Sequence, residues 1–494
     1  MAKKTVKNYT LYKLRFWLGY GILSLIIATI LITGALHTSG GLSDMERQSV
    51  ITSASLSLSN PSSAFIFDLP YHALQKLSIS LLGLNDLSVK LPSLLLGAAS
   101  IVGLILVLSR RFTHTASILA VGIIVVSAKF ISLATTGTPE IMHVFWPVML
   151  LLVAVCGVSN NSFRPIAIIF GALTVGLSLL TPFSIYVIAA FCIGAAFHPR
   201  VRYLVRRTPN SAWGVGAFIG LISGVAVALM TLRDTAILPQ LLYMSSSFSL
   251  DVIDNIKLLG LQLGDVTSMS TKDTGLLAPV FGMSVIAIGL FGTYGLLRAR
   301  HTVLSYTLFS WTILLTPLIL LNPGLFSLLI VPTALFLAIG ISTILQYWYR
   351  LFPQNPYARI FALVPTAILF SCIIIPSAFH YFHGYRYYAP LANMTNNDTA
   401  LMARNIDAYS NATVLVSDDE EAFYRVFLDA NNKDNELATI PESSTRNSTL
   451  PYEGEIIATE KASTKINRAP TYIVANATAH GTSDRLYIYK ISSE

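Results

Sequence analysis

Apolar residues in this chain gather in runs broken by short polar stretches, and the runs are roughly 18 to 22 residues long, what a helix needs to cross about 30 Å of hydrocarbon. The pattern predicts about eleven spans, over 16–36, 91–108, 115–134, 140–157, 164–181, 183–198, 212–232, 275–297, 302–321, 324–345 and 359–379. Only Thr181-Pro182-Phe183-Ser184 parts the fifth from the sixth, so one broken helix is the alternative there. Two connections, 37–90 and 233–275, exceed what a simple link requires, and long loops in compact proteins are usually functional or disordered. Each carries an amphipathic stretch. Leu74, Leu77 and Leu81 recur at helical spacing with Lys76 off their face, and Val252, Ile256, Leu259 and Leu263 do so with Asp251, Asp254 and Lys257 off theirs. Such helices suit the membrane interface and could roof a cavity open to lipid. Packing against the bundle for stability alone is an equal reading.

From about residue 384 the composition turns polar and the apolar residues come in short strand-like runs. Strands are expected over 413–417, 455–459, 471–474 and 485–491, with a helix over 418–428 that opens on acids as a helix N-terminus prefers. The chain therefore divides into a transmembrane domain, 1–383, and a small α/β domain, 384–494. The sequons at Asn393, Asn397, Asn411, Asn447 and Asn476 fall in the second. In a eukaryotic lumen these could be glycosylated; an Asn/Thr-rich domain that never meets such machinery is an equal reading.

Composition agrees with a polytopic α-helical membrane protein: 53% of residues are hydrophobic and 12% charged. The net charge of +8 does not point to nucleic acid, because the basic residues follow the topology. Lys3, Lys4, Lys7, Lys13 and Arg15 precede the first span, and alternate loops hold Arg110 and Arg111, Arg164, the group Arg200, Arg202, Arg206 and Arg207, Arg298 and Arg300, then Arg350 and Arg359. Lys and Arg are retained on the cytoplasmic side. The N-terminus is then cytoplasmic and, with an odd number of spans, the C-terminal domain is extracytoplasmic. The first run is longer than a signal-peptide h-region, so it is expected to stay as an anchor. The three cysteines all fall in spans, at Cys156, Cys192 and Cys372, and read as small packing residues with neither a disulfide framework nor a metal-ligand spacing.

An acidic cluster, Ser43-Asp44-Met45-Glu46-Arg47, opens the first long loop. An interfacial stretch ending in Leu82-Gly83-Leu84 follows, then Lys90-Leu91-Pro92-Ser93 heads the second span, Thr136-Gly137-Thr138-Pro139-Glu140 the fourth, and Gly176-Leu177-Ser178-Leu179-Leu180 lies in the fifth. Over about the first 190 residues this resembles the GT-C membrane glycosyltransferases. Within them it is most similar to the branch of the dolichyl-phosphate-mannose protein mannosyltransferases and the bacterial aminoarabinose transferases, whose second span commonly begins Arg-Leu-Pro-Ser. Here Met45 separates the usually adjacent Asp-Glu pair, the His-Pro-Pro motif is reduced to Asp68-Leu69-Pro70 with a histidine displaced to His72, and Lys90 replaces the arginine. These differences bear on the donor sugar more than on the reaction class.

The resemblance implies a polyprenyl-phosphate sugar as donor and inverting transfer to a protein, lipid or glycan acceptor on the outer face. Such a transfer needs a carboxylate to take the acceptor proton and positive charge to stabilise the departing phosphate. Asp44 matches the family's first-loop catalytic acid, although an acid there could simply cap the following helix. Glu46 would bind substrate or orient Asp44. Glu140 matches the second acid, near the hydrocarbon edge, where a carboxylate is costly unless it faces a cavity. Lys129, within the third span, is the leading candidate for the lipid phosphate, and His143, about one turn beyond Glu140, could share its site. His72, Lys76, Arg233 and Arg386 complete the candidate substrate-binding set, with an interfacial anchor the plain reading of the last three. No metal is expected, although an Asp-x-Glu spacing could hold a divalent cation at Asp44 and Glu46, and the expected setting is a bacterial cytoplasmic membrane. The rival reading is a transporter or flippase of a lipid-linked or amphipathic solute, a class that places ionisable residues near the midplane and shows repeated halves. No internal repeat is evident, and the acids lie at the outer edge.

Overall fold

The computed structural model describes residues 10–38, 41–57, 65–159, 164–207, 209–233, 235, 237–242, 251–264, 281–351, 356–387, 395–406, 412–433, 435–441, 454–475 and 485–491. The chain runs α1 (Thr10–Thr33), β1 (Leu42–Ser43), α2 (Asp44–Ser55), α3 (Leu69–Leu82), α4 (Asp86–Ser109), α5 (His114–Val125), α6 (Ala128–Thr135), α7 (Met142–Ser159), α8 (Arg164–Ser178) and α9 (Ser184–Phe197). It continues through α10 (Pro199–Arg206), α11 (Asn210–Arg233), α12 (Ile237–Leu241), α13 (Val252–Gly264), α14 (Met283–Arg298), α15 (Val303–Leu321), α16 (Ile330–Leu351) and α17 (Pro356–Tyr387). Six described helices are long and apolar enough to cross a membrane, or up to eight if each bent pair is one span. The bent pairs are α5 with α6, at 70°, and α9 with α10, at 93°. The expected third span is thus broken at Val126-Ser127 and resumes in a short buried helix that carries Lys129. The fifth and sixth spans are separate helices, because Phe183 takes a left-handed conformation and breaks the path between them.

The two amphipathic stretches both form helices. In α3 the polar side chains His72, Gln75 and Ser78 are buried, whereas Leu74, Leu77 and Leu81 are exposed. A helix that turns its leucines away from the protein is suited to an apolar surround and not to water. In α13, Leu259 and Leu263 pack on the bundle core, and the buried Asn255 donates to the Leu320 carbonyl at 2.9 Å. Much of the second long loop, 243–250 and 265–280, lies outside the described residues, as do the sequons at Asn393, Asn411, Asn447 and Asn476. Cys156, Cys192 and Cys372 are exposed on helix faces and are not core packing residues, which corrects the expectation for them.

Beyond the bundle come β2 (Thr395–Asn396), α18 (Asp398–Asn405), β3 (Thr413–Ser417), α19 (Glu421–Ala430), β4 (Leu437–Ile440), β5 (Gly454–Ala458), α20 (Glu460–Ser463), β6 (Tyr472–Ala475) and β7 (Arg485–Ile491). The last five strands form one mixed sheet in the order β4-β3-β5-β7-β6. Within it β3 lies between β4 and β5, parallel to both and buried along its whole length, as expected of an interior strand reading Thr-Val-Leu-Val-Ser. The other two strands pair antiparallel, Leu42 opposite Asn396 and Ser43 opposite Thr395, which ties the start of the first long loop to the chain beyond α17. A hydrophobic cluster extends that tie, joining Leu42, Val50, Ile79, Leu84 and Val89 to Met402, Phe423 and Phe427.

Candidate functional site

The site grows from the N-terminus of α2. Ser43, not Asp44, is the cap: its Oγ accepts from the Glu46 backbone N–H at 3.3 Å, and Glu46 Oε2 accepts from the Ser43 N–H at 2.7 Å. This reciprocal pairing satisfies two otherwise orphaned donors. Asp44 is left as the first helical residue, exposed, where the helix dipole favours negative charge. Among the described residues no hydrogen bond or salt bridge engages its carboxylate, and Lys461 of α20, itself 2.6 Å from Asp419, lies close enough to feel its charge.

Glu46 faces inward, 1% exposed. Its Oε1 accepts from the Gly137 N–H at 2.6 Å, so one carboxylate caps α2 and fastens it to the turn just ahead of Glu140. Both oxygens are thereby committed, and a cation shared with Asp44 would have to break the cap. Among the described residues no group of three or more His, Cys, Asp or Glu is placed to hold a metal ion. The Gly137 turn is held from below as well. The buried Gln75 donates to the Gly137 carbonyl at 3.0 Å and to Val89 at 3.3 Å, and its Oε1 accepts from Ser49 at 2.8 Å and Ser53 at 2.6 Å. Gly137 has no room for a side chain, since a Cβ would sit 2.6 Å from Val89 Cγ1.

Beyond that turn, Glu140 lies in a short helical turn, Pro139–Ile141, and its Oε2 is 3.3 Å from Lys129 Nζ. The lysine side chain is 8% exposed and the carboxylate 41%, so the pair opens on the glutamate side. His143, half-buried, has Nδ1 3.3 Å from Ser327 Oγ and packs edge-on against the Phe183 ring at 5.6 Å. Lys129, Glu140 and His143 thus share one neighbourhood, and the Glu46 clamp brings the α2 terminus, and Asp44 with it, to the same end of the bundle.

The remaining candidates lie elsewhere. His72 is buried between α2 and α3 with Nδ1 2.8 Å from Ser53 Oγ, and burial lowers its pKa to about 4. Lys76 donates to the Ala54 and Leu56 carbonyls at the end of α2, where orphaned carbonyls welcome a cation. Lys90 is buried and donates to the Gly41 carbonyl at 2.9 Å. Arg233 is the exposed last residue of α11. Arg386 falls in the last turn of α17, and its side chain lies outside the described residues.

Two features escaped the sequence reading. One is a buried network: Arg47 pairs with Asp398 at 2.5 Å and Glu420 at 3.8 Å and lies over the Phe423 ring at 5.0 Å, while Tyr424 donates to Asp398 at 2.6 Å. Burial opposes the guanidinium charge, yet Asp398, with Tyr424 and Glu420 adding less, more than offsets it and holds its pKa above the ordinary range. Nothing in a lone arginine followed hundreds of residues later by an aspartate announces such a pair. The other is Asp68, at the left-handed entry to α3 with φ 50°. It is 7% exposed, and its Oδ1 has no partner among the described residues. Burial raises its pKa to about 7, against a hydrogen bond from Thr181, whose Oγ1 in turn accepts from the Trp146 indole at 3.0 Å.

Comparison with known proteins follows the same outline. Residues 70–231 match the family profile described as dolichyl-phosphate-mannose-protein mannosyltransferase. Curated protein sequences give no match. Among solved structures the chain is similar to ArnT from Cupriavidus metallidurans in the apo state, with a TM-score of 0.56 at 12% identity over 95% of this chain and 97% of that one. ArnT bound to undecaprenyl phosphate gives 0.51 at 12% identity, over 95% and 97%. The Archaeoglobus fulgidus oligosaccharyltransferase tethered with an acceptor peptide gives 0.53 at 11% identity, over 91% and 70%.

Proposed function

With the GT-C glycosyltransferase fold as premise, we propose that this protein moves a sugar from a polyprenyl-phosphate donor to an acceptor at the end of the bundle marked by α2 and α3. The observation that carries the reading is the Glu46 to Gly137 clamp, which sets an exposed carboxylate, Asp44, at the same end of the fold as the Lys129–Glu140 pair. In the proposed step the acceptor oxygen attacks the anomeric carbon as the carbon–oxygen bond to the lipid phosphate breaks. The acceptor proton passes to Asp44, and the configuration inverts. Lys129 stabilises the charge gathering on the departing phosphate, and Glu140 holds that lysine in place. Glu46 orients the N-terminus of α2 without touching substrate. A similar fold has been seen with undecaprenyl phosphate and another with an acceptor peptide, which supports a lipid donor and a separate acceptor.

The topology we propose has about eleven crossings: the six long helices, the two bent pairs, and the shorter apolar helices Gly21–Leu36, Arg164–Ser178 and Met283–Arg298. With basic loops inside, the site end and the sheet lie outside the membrane.

The test is sugar transfer in isolated membranes supplied with a panel of labelled polyprenyl-phosphate sugars, comparing the parent with Asp44→Asn at matched folded amounts. A base contributes roughly 10²- to 10⁴-fold, so the variant should lose at least 10²-fold in turnover. Equal transfer would remove Asp44 from the role, and no transfer from any donor would move the reading toward transport.

A further inference from the structure

At the opposite end of the bundle from α2 and α3, a cavity of about 720 Å³ opens among the ends of α4, α7, α9 and α15 and the short helix α10. Its mouth carries Arg110 and Arg111 from the turn after α4, Arg200 from α10, and His198 and His301, and no acidic residue lines it among the described residues. Its walls are apolar, and α10 contributes Val201 and Leu204. The 93° bend at His198 lays α10 across the axis of α9, so that Val201 and Leu204 line the cavity while Arg202, Val205 and Arg206 are exposed. This is the shape of a helix lying at headgroup depth.

Two buried polar atoms in this lining lack a partner among the described residues, His198 Nδ1 and the indole N–H of Trp311, the latter fully buried. Buried polar groups are ordinarily hydrogen-bonded. A dry apolar void would leave both unsatisfied, and a purely aqueous pocket would not need walls of leucine, phenylalanine and valine. A ligand with an anionic head, oxygen acceptors just below it and an apolar chain matches the basic rim, the orphaned N–H and the walls in that order. Basic pockets between helices on the positively charged side of membrane proteins bind phosphate-headed lipids.

We propose that this cavity is a binding site for a phosphate-headed lipid of net negative charge, with the phosphate at Arg110, Arg111 and Arg200 and one chain running past Trp311. It is separate from the transfer site and needs no donor sugar.

The protein in neutral detergent is measured by native mass spectrometry and by its thermal midpoint, with phosphatidylglycerol, phosphatidylcholine, a polyprenyl phosphate or inorganic phosphate added. The net-anionic phosphate lipids should be retained and raise the midpoint, whereas zwitterionic phosphatidylcholine should not. Retention of phosphatidylglycerol would assign a glycerophospholipid, and of the polyprenyl phosphate alone a prenyl lipid. The triple variant Arg110→Gln, Arg111→Gln, Arg200→Gln and the cavity-filling Ala195→Trp should each lower retention at least tenfold, whereas Asp44→Asn should leave it unchanged. Should the triple variant fold poorly, Ala195→Trp and Trp311→Phe carry the comparison. Equal retention of phosphatidylcholine, a shift reproduced by inorganic phosphate alone, or retention unaffected by both the arginine and the filling variants would overturn the proposal. Because no arm reads sugar transfer, failure here is distinct from failure of the proposed activity.

Discussion

Replacing Arg47 with methionine tests what holds the α2 terminus in place. The guanidinium is 8% exposed, its partners Asp398 and Glu420 are 1% and 5% exposed, and removing it leaves two carboxylates facing each other without their cation. Deleting one partner of a buried ion pair typically costs about 3 to 5 kcal/mol. Asp398 keeps three donors, the Thr399 N–H at 2.6 Å, the Thr399 hydroxyl at 3.1 Å and the Tyr424 hydroxyl at 2.6 Å, so the cost should fall near the low end, ~3 kcal/mol. Acid should return part of it. Burial already raises the Glu420 pKa; without Arg47 it rises further, and a carboxyl whose folded pKa exceeds its unfolded one loses stability as pH increases. The deficit should therefore shrink as pH falls toward the carboxylate range. The assay is thermal or denaturant unfolding of the purified protein for Arg47→Met, Asp398→Asn and the double variant across pH. Residues within one buried network couple by roughly 0.5 to 3 kcal/mol, so the double variant should be more stable than the sum of the single losses. Strict additivity, or an Arg47→Met protein as stable as the parent at neutral pH, would refute the reasoning.

Asp68→Asn should flatten a slope in the stability profile: with the carboxyl raised from 3.8 to about 7 by burial, the parent should lose stability between those values, by up to ~4 kcal/mol, and level off above. His72, lowered to about 4, acts with the opposite sign, losing stability as pH falls below its unfolded value, so the difference between parent and variant isolates Asp68. Gly137→Ala should destabilise by about 1 to 3 kcal/mol, because its Cβ would meet Val89 Cγ1 at 2.6 Å and Val89 O at 2.9 Å; unchanged unfolding would mean that the turn has room to move. Lys129→Met, assayed with the preferred donor, should lower turnover more than it raises the donor KM, since its proposed charge acts on the leaving phosphate; a pure KM effect would assign it to ground-state binding.

The sequence was most legible where one property fixed one outcome. Length and hydropathy placed the long helices, short strand-like apolar runs located β3, β5, β6 and β7, and the acid-led run after Ser417 became α19 with its start shifted to Glu421. The strand β4, Leu437–Ile440, went unread because four residues with one polar interruption carry too little periodicity. The break inside the third span was hidden because Val126-Ser127 contains neither Gly nor Pro. Of the candidate site, the residue types near Glu140 were readable from the cost of charge at a membrane edge, whereas the tasks of Gln75 and Glu46 depend on partners contributed by other elements. Asp68 stood in plain view in Asp68-Leu69-Pro70. What lay beyond reach was its burial against Thr181, a contact over 113 residues.

The single residue between Asp44 and Glu46 fixes an angular phase. At 3.6 residues per turn, positions two apart point about 200° from each other, so when one carboxylate is an internal fastener the other must project away from the bundle. The same phase turns Ser49 and Ser53 onto Gln75. Removing Met45 would bring the acids to about 100° apart and rotate every later contact of α2 by the same step. The direction of the outward acid and the grip of the helix on its neighbours are therefore one setting, and selection cannot adjust either without re-registering the other.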